Sequence, residues 1–316
     1  MEIIFDHPYY LVMLASIPLL IVTHFYLLTR IKKKGMKFAN FETLKRVSGG
    51  NLITKNISLL ILRSVIFSLM IIGASGPVFW YMGEESNNDF VLTIDTSASM
   101  LAEDLYPDRL RSAKSAAVNF VDSMDTRTSM GVVSFSGISL TETLITSDFS
   151  RVKSSIENLD IMTSGGTDIG TALVTSTNML LGNNKGKSIV LLTDGSQTSG
   201  SFIDDPVQFG IDYAKEHHVI VYTIGIGTEQ GFAGYIPLNL TAAYDKSALG
   251  RISNETGGRF FEAGNETELN QAFGSIAQLK RQAYLDVDLK FGLMMISLLL
   301  LFIEWGLINT RFRALP

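Results

Sequence analysis

Cysteine is absent from all 316 residues, which removes disulfides, thiolate metal sites and thiol nucleophiles together. The absence suits an oxidising compartment. Charge is scarce as well: Asp, Glu, Lys and Arg make up 18% of the chain, and the net charge is −5. That balance leaves no basic footprint of the kind nucleic acid requires. Internal repeats and low-complexity tracts are missing, and no Ser-His-Asp set can be assembled around the 4 histidines. What the chain has in quantity is apolar surface. Hydrophobic residues reach 46%, too many for an ordinary soluble domain, and that points to membrane segments.

Three runs meet the length of about 20 mostly apolar residues that a helix needs to cross a bilayer. They are Tyr10 to Leu28, Ser64 to Tyr81 with Arg63 at its leading edge, and Phe291 to Asn309 with a single charge at Glu304. A cleaved leader is a poor reading of the first run, because Met1 to Tyr9 holds no Lys or Arg and the apolar stretch exceeds a usual signal core. The connector after the first run carries Arg30, Lys32, Lys33, Lys34, Lys37, Lys45, Arg46 and Lys55 against one acid, Glu42, and Arg311 and Arg313 follow the third run. Basic residues stay cytoplasmic, so everything between the second and third spans is expected outside. Arg63 and Glu304 would each lie roughly 7–8 Å deep. Charges at such depth pair or snorkel, and a pair between these two would fix the packing of their helices.

From Asn88 the pattern changes to strands alternating with helices. Phe90 to Ile94, Met130 to Phe135, Ser188 to Thr193, Val219 to Ile226 and Arg259 to Glu262 read as strands, with Ile138 to Leu144 returning antiparallel across Ser136-Gly137. Helices are expected at Asp108 to Met124, from Asp148, at Asp168 to Leu181, Pro206 to His217, Lys246 to Thr256 and Glu266 to Tyr284. The order implies an α/β fold, a doubly wound, mostly parallel sheet with helices on both faces. The layout is a first transmembrane segment at 1–29, a basic cytoplasmic connector at 30–57, a second transmembrane segment at 58–84, the α/β domain at 85–286, and a third segment with a short basic tail at 287–316.

Ligands of such sheets bind at the carboxyl ends of the strands. There the first strand ends in Asp95-Thr96-Ser97-Ala98-Ser99, and the most apolar strand ends in Thr193-Asp194-Gly195. Between them Ser164-Gly165-Gly166-Thr167-Asp168 presents a third hydroxyl before a helix. Asp95, Ser97, Ser99, Thr167 and Asp194 are all oxygen donors, as Mg²⁺ requires, with Mn²⁺ or Ca²⁺ as alternatives. Only two of them are carboxylates, so the ion keeps residual positive charge and draws an acidic group from a partner. Ordinary helix and turn capping is the competing reading; it suits Asp168, which is given no metal role.

These five residues resemble the metal-ion-dependent adhesion site of von Willebrand factor A domains. The resemblance implies that both aspartates act mostly through water while the serines and the threonine ligate directly. Ser99-Met100-Leu101-Ala102-Glu103-Asp104, Pro107-Asp108-Arg109-Leu110, Gly165-Gly166-Thr167-Asp168-Ile169-Gly170 and Glu255-Thr256-Gly257-Gly258-Arg259-Phe260-Phe261 are similar to the Bat (Bacteroides aerotolerance) proteins, in a BatA/BatB-like arrangement. Ala98 stands where Gly is common, and the Thr228 to Ala243 loop looks shorter than in many relatives. The likeness implies a bacterial inner-membrane protein with a periplasmic domain, working with other Bat proteins in a complex for stress tolerance or envelope integrity. It also implies a MoxR-type AAA+ ATPase, which the charge rule would place at the basic 30–57 connector.

Other signals fail. Gly182 to Ser188 resembles a phosphate loop but has three residues between its glycines where four are needed, and it precedes a strand. Gly225-Ile226-Gly227 lacks the third glycine of a dinucleotide loop. His217 and His218 are adjacent at a helix end and cannot both face one ion, and the sequons at Asn56, Asn239, Asn254 and Asn265 are coincidental in a bacterial protein. The expected function is therefore non-enzymatic, a metal-dependent interaction module for membrane or periplasmic proteins bearing an acidic residue. The alternatives are a metal-assisted hydrolase, which would need a base or nucleophile beside the ion, and a subunit of an oligomeric transport assembly.

Overall fold

A computed structural model describes residues 2–35, 57–84, 88–125, 127–162, 165–182, 185–194, 205–227, 245–279 and 282–310. In chain order its first elements are β1 (Glu2–Phe5), a 3-10 helix (Pro8–Ala15), α1 (Ser16–Gly35), α2 (Ile57–Ala74), β2 (Pro77–Glu84) and β3 (Asn88–Asp95). Then come α3 (Arg109–Asp122), β4 (Ser129–Phe135), β5 (Ser139–Thr146), α4 (Phe149–Glu157), α5 (Ile169–Leu180) and β6 (Gly186–Thr193). The remainder is α6 (Pro206–Glu216), β7 (Ile220–Ile226), α7 (Lys246–Thr256), β8 (Phe260–Ala263), α8 (Glu266–Leu279), β9 (Gln282–Asp288) and α9 (Lys290–Asn309). Most of the basic connector, Gly195, Asn56, Asn239, the Thr228 to Ala243 loop, Arg311 and Arg313 lie outside the described residues.

The chain forms two units, Met1–Tyr81 with Asp286–Pro316, and Met82–Leu285. In the first, three helical segments are long and apolar enough to cross a membrane: Pro8–Leu27, Ile57–Ala74 and Lys290–Asn309. The second span differs from its expected position at Ser64 to Tyr81. The helix ends at Ala74, Gly76 takes a left-handed φ of 65°, and Pro77 cannot donate to a continuing helix. Val78-Phe79-Trp80-Tyr81, rich in aromatic side chains that suit a pleated strand, belongs to β2 and pairs antiparallel with β1, from Glu2↔Trp80 to Phe5↔Pro77. The end of the segment assigned to the membrane at 58–84 is thus strand, and Arg63 lies within α2, at the depth expected of it. Its guanidinium binds Glu304 of α9, Nε to Oε1 at 2.8 Å and Nη2 to the same oxygen at 2.6 Å. The expected pair is present. Close approach of α2 and α9 is possible at Gly73, where a Cβ would already touch the Leu293 and Met294 side chains at 3.4 Å.

The second unit is a six-stranded sheet of order β5-β4-β3-β6-β7-β8. All neighbours run parallel except β4 and β5. Every residue of β3 is buried, because helices cover both faces and the strand needs no polar side. Its side chains alternate with period two. Phe90, Leu92 and Ile94 join Leu110, Phe120, Val152, Ile156 and Phe273 on one face. Val91 joins Val133, Ile169, Leu173, Ile189, Ile211 and Leu249 on the other. The helices start where acidic caps allow: Asp108, Asp148, Asp168, Asp205 and Asp245 each accept backbone N–H groups of the first turn.

The last helix was expected to reach Tyr284, yet α8 stops at Leu279 and residues 282–288 form β9. Tyr284-Leu285-Asp286-Val287-Asp288 alternates with a strand's period, which a helix cannot accommodate on one face. β1, β2 and β9 form a three-stranded sheet in that order, absent from the sequence reading.

Candidate metal centre

In the large sheet the chain runs from β3 outward to β4 and β5, then crosses back to β6 on the other side of β3. The strand order therefore reverses between β3 and β6, and their carboxyl ends form the crevice where α/β sheets bind ligands. Asp95 closes β3 and Asp194 follows β6 directly. Asp95 is 0% exposed and Asp194 1%. The Thr193 hydroxyl donates to Asp95 Oδ2 at 2.5 Å, joining the two strand ends through a side chain.

The loop after β3 is wound onto Asp95. The Ser97 N–H donates to Asp95 Oδ1 at 2.8 Å, the local turn that Asp favours. A 3-10 turn over Ala98–Leu101 follows, pinned by fully buried Met100, and brings the Ser97 and Ser99 hydroxyl oxygens to 3.0 Å. Thr96 ties this loop to the neighbouring strand, since both its N–H and its hydroxyl donate to the Phe135 carbonyl, at 2.8 and 3.0 Å.

Thr167 arrives from the far side of the sheet. Gly166 before it has a φ of 91°, which a side chain would disfavour. Asp168 after it caps α5 and gives its own N–H to the Ser136 carbonyl at 2.7 Å, beside the end of β4. The loop that begins with Thr96 is anchored to the same region, because its carbonyl accepts from the Met162 N–H at 2.9 Å. Thr167 is 2% exposed and Ser97 5%; Ser99 is half-buried. Asp95, Ser97, Ser99 and Asp194 thus form one connected group at the switch point, and Thr167 stands at the same edge.

Burial, then the charge of Asp194, push the Asp95 carboxyl up to about 7, while hydrogen bonds from Ser97 and Thr193 pull the other way. Two carboxylates held together in a dry site resist joint ionisation. A cation between them would reverse that resistance. Among the described residues no group of three or more His, Cys, Asp or Glu surrounds a common point. The donor set is instead two carboxylates and three hydroxyls, all hard oxygens, which fits Mg²⁺ or a similar ion.

Three neighbours escaped the sequence reading. Arg109, the first residue of α3, is 0% exposed. Its Nε and Nη2 donate to the two oxygens of Asp104 at 2.7 and 2.6 Å, and its Nη1 reaches Asp194 Oδ2 at 3.5 Å. Thr193 is the third. One signal for Arg109 was available: a cation at a helix N-terminus opposes the helix dipole, so an Arg directly after a capping Asp calls for another partner.

Comparison with known proteins agrees with this architecture. The von Willebrand factor type A domain model matches residues 90–197, and the aerotolerance regulator N-terminal (BatA) model matches residues 1–77. A UPF0353 protein of Mycolicibacterium gilvum is 26% identical over 286 residues, covering 87% of this chain and 84% of its own. Among solved structures, BatB from Bacteroides thetaiotaomicron superposes with a TM-score of 0.52 at 24% identity, covering 60% of this chain and 98% of that one. An aerotolerance-related membrane protein from Bacteroides fragilis gives 0.54 at 24% identity, with 61% and 98% covered. Proximal thread matrix protein 1 of the mussel byssus, described with a zinc-occupied adhesion-site motif, gives 0.52 at 18% identity, with 71% and 53% covered. The large sheet and its helices are a von Willebrand factor A domain. Residues 1–77 match the aerotolerance-regulator N-terminal model and the described residues include three candidate spans, so the chain is similar to Bat-type membrane proteins.

Proposed function

We propose that this protein is a metal-dependent docking module held at the outer face of the bacterial inner membrane. Asp95, Ser97, Ser99, Thr167 and Asp194 hold a divalent cation, Mg²⁺ first among the candidates. The ion supplies positive charge at the sheet edge and takes its remaining ligand from an acidic side chain of a membrane or periplasmic partner. The observation that carries this reading is the pair of buried carboxylates at the ends of β3 and β6, with the Thr193 hydroxyl on Asp95 and the Ser97 and Ser99 hydroxyls 3.0 Å apart in the loop that follows. Arg109 reaches Asp194 only at 3.5 Å and is held by Asp104 at 2.6 and 2.7 Å, so the two carboxylates remain well matched to a divalent cation.

The domain of residues 85–286 faces the periplasm, because the basic residues of the 30–57 connector and of the tail mark the cytoplasmic side. Other Bat proteins are the partners the family relation favours, and a MoxR-type ATPase would meet the connector, from the cytoplasm. The activity is docking and not catalysis. His217 packs on Tyr213 at the end of α6 and His218 on Tyr284, so neither is placed as a base for hydrolysis at Asp95.

Co-purification from native membranes tests this reading. Proteins retained with the full-length chain in Mg²⁺ should be lost in chelator and equally lost with Asp95→Ala in Mg²⁺. A partner set indifferent to both changes would sink the proposal.

A further inference from the structure

Arg109 stands at the meeting point of four segments. Asp104 comes from the loop after β3, Arg109 opens α3, Asp194 follows β6, and Gly227 follows β7. The guanidinium is fully buried, and the Asp104 and Asp194 side chains are 5% and 1% exposed, so solvent and salt screen little of this charge. Gly227, with a φ of 123°, forms one wall: a Cβ there would lie 2.4 Å from Arg109 Nη2. The wall is backbone, and it leaves the guanidinium no room to move toward it.

The planar fork is satisfied on Asp104 by two short bonds, and the bond to Asp194 is the longer third one. Arg109 therefore restrains Asp194 without neutralising it alone. Among the described residues, Asp95, Asp104 and Asp194 against one guanidinium leave a formal −2, which a single divalent ion would cancel. A cation already bound to a carboxylate also weakens that carboxylate's pull on a second cation.

Resting on the metal reading above, we propose that Arg109 is a positioning residue that sets the ligand preference of the centre. It turns Asp194 partly away from the ion's charge, so the ion binds more weakly to the protein alone and more strongly to a partner's carboxylate. Gly227 is the residue that keeps Arg109 in this role.

The test uses the full-length chain in detergent, with Mn²⁺ as the metal probe and acetate as the carboxylate probe. Arg109→Met combined with Asp104→Leu removes the guanidinium together with the charge it would orphan. This variant should bind Mn²⁺ roughly ten-fold more tightly by calorimetry. Acetate should displace water from its bound Mn²⁺, read by proton relaxation, only at higher concentration than in the wild type. Gly227→Ala, which forces the guanidinium aside with every charge kept, should shift both readings the same way. A merely structural Arg109 would lower the melting temperature and leave Mn²⁺ affinity unchanged. Unchanged or weaker Mn²⁺ binding in both folded variants overturns the role of Arg109 and leaves the metal reading intact. A wild type that does not bind Mn²⁺ overturns the metal reading itself, and this inference with it.

Discussion

Two arginines of this protein are tied to carboxylates in opposite settings. Arg63, in the membrane unit, meets one acid, Glu304, through two nitrogens on a single oxygen, and its side chain is 44% exposed on the protein surface that lipid would cover. Arg109, in the sheet domain, is enclosed by protein and shared between Asp104 and Asp194. The first pair joins two helices and is complete in itself. The second is part of a larger group, in which one guanidinium faces two carboxylates next to the buried Asp95. An ion pair that balances locally fixes packing, whereas one left unbalanced next to hydroxyls marks a binding site.

The largest effect should come from removing the enclosed arginine. Arg109→Ala removes a charged donor from two buried carboxylates and should cost about 3–5 kcal/mol of domain stability, measured by denaturant unfolding. A loss under about 1 kcal/mol, the range of exposed pairs, would erase the distinction between the two arginines.

Next in size is the bridge between the strand ends. Thr193→Val keeps the shape but strips Asp95 of a short hydrogen bond, and should cost about 1–2 kcal/mol. The loss should be larger without divalent ion than with it, since the ion would then stabilise the same carboxylate.

The membrane pair should be worth less. A double-mutant cycle with Arg63→Gln and Glu304→Gln, in a bilayer-like detergent, should return a coupling of about 1 kcal/mol. Strict additivity would mean that the two side chains act separately.

The pH dependence sharpens the same contrast. Asp95 has its folded-state carboxyl raised from 3.8 to about 7, so the folded, metal-free domain holds a proton that the unfolded chain has already released. Stability from this group is full below about 4 and is lost as pH rises through about 7. On the proposed metal reading, a cation takes the place of that proton. The rise in melting temperature on adding Mg²⁺ should therefore be greater at pH 8 than at pH 6; an equal rise would separate Asp95 from the ion.

The two regions also differ in what could be read from residues alone. Glu304 and Arg63 stand out because each interrupts an apolar run, and so their pairing was foreseeable. The strand ends carrying Asp95 and Asp194 were legible too, because Phe90 to Ile94 and Ser188 to Thr193 are continuous apolar runs of parallel-strand length. Arg109 and Asp104 were visible only as parts of family-like motifs and were given no role, because only the fold brings them to Asp194. The small sheet of β1, β2 and β9 was missed for a related reason. Apolar Val78 to Tyr81 continues the preceding span without a charged break, and only Gly76-Pro77 separates helix from strand. Gln282 to Tyr284 likewise follows α8 with no Gly or Pro to end it.

Calorimetric titration of Mg²⁺ into the full-length chain, wild type against Thr167→Ala, tests the central claim most directly. Thr167 contributes a hydroxyl and no charge, so its loss leaves the site's electrostatics unchanged and removes one ligand. The account predicts saturable binding of one ion per chain in the wild type and its loss in the variant. Equal binding by the two proteins would contradict it.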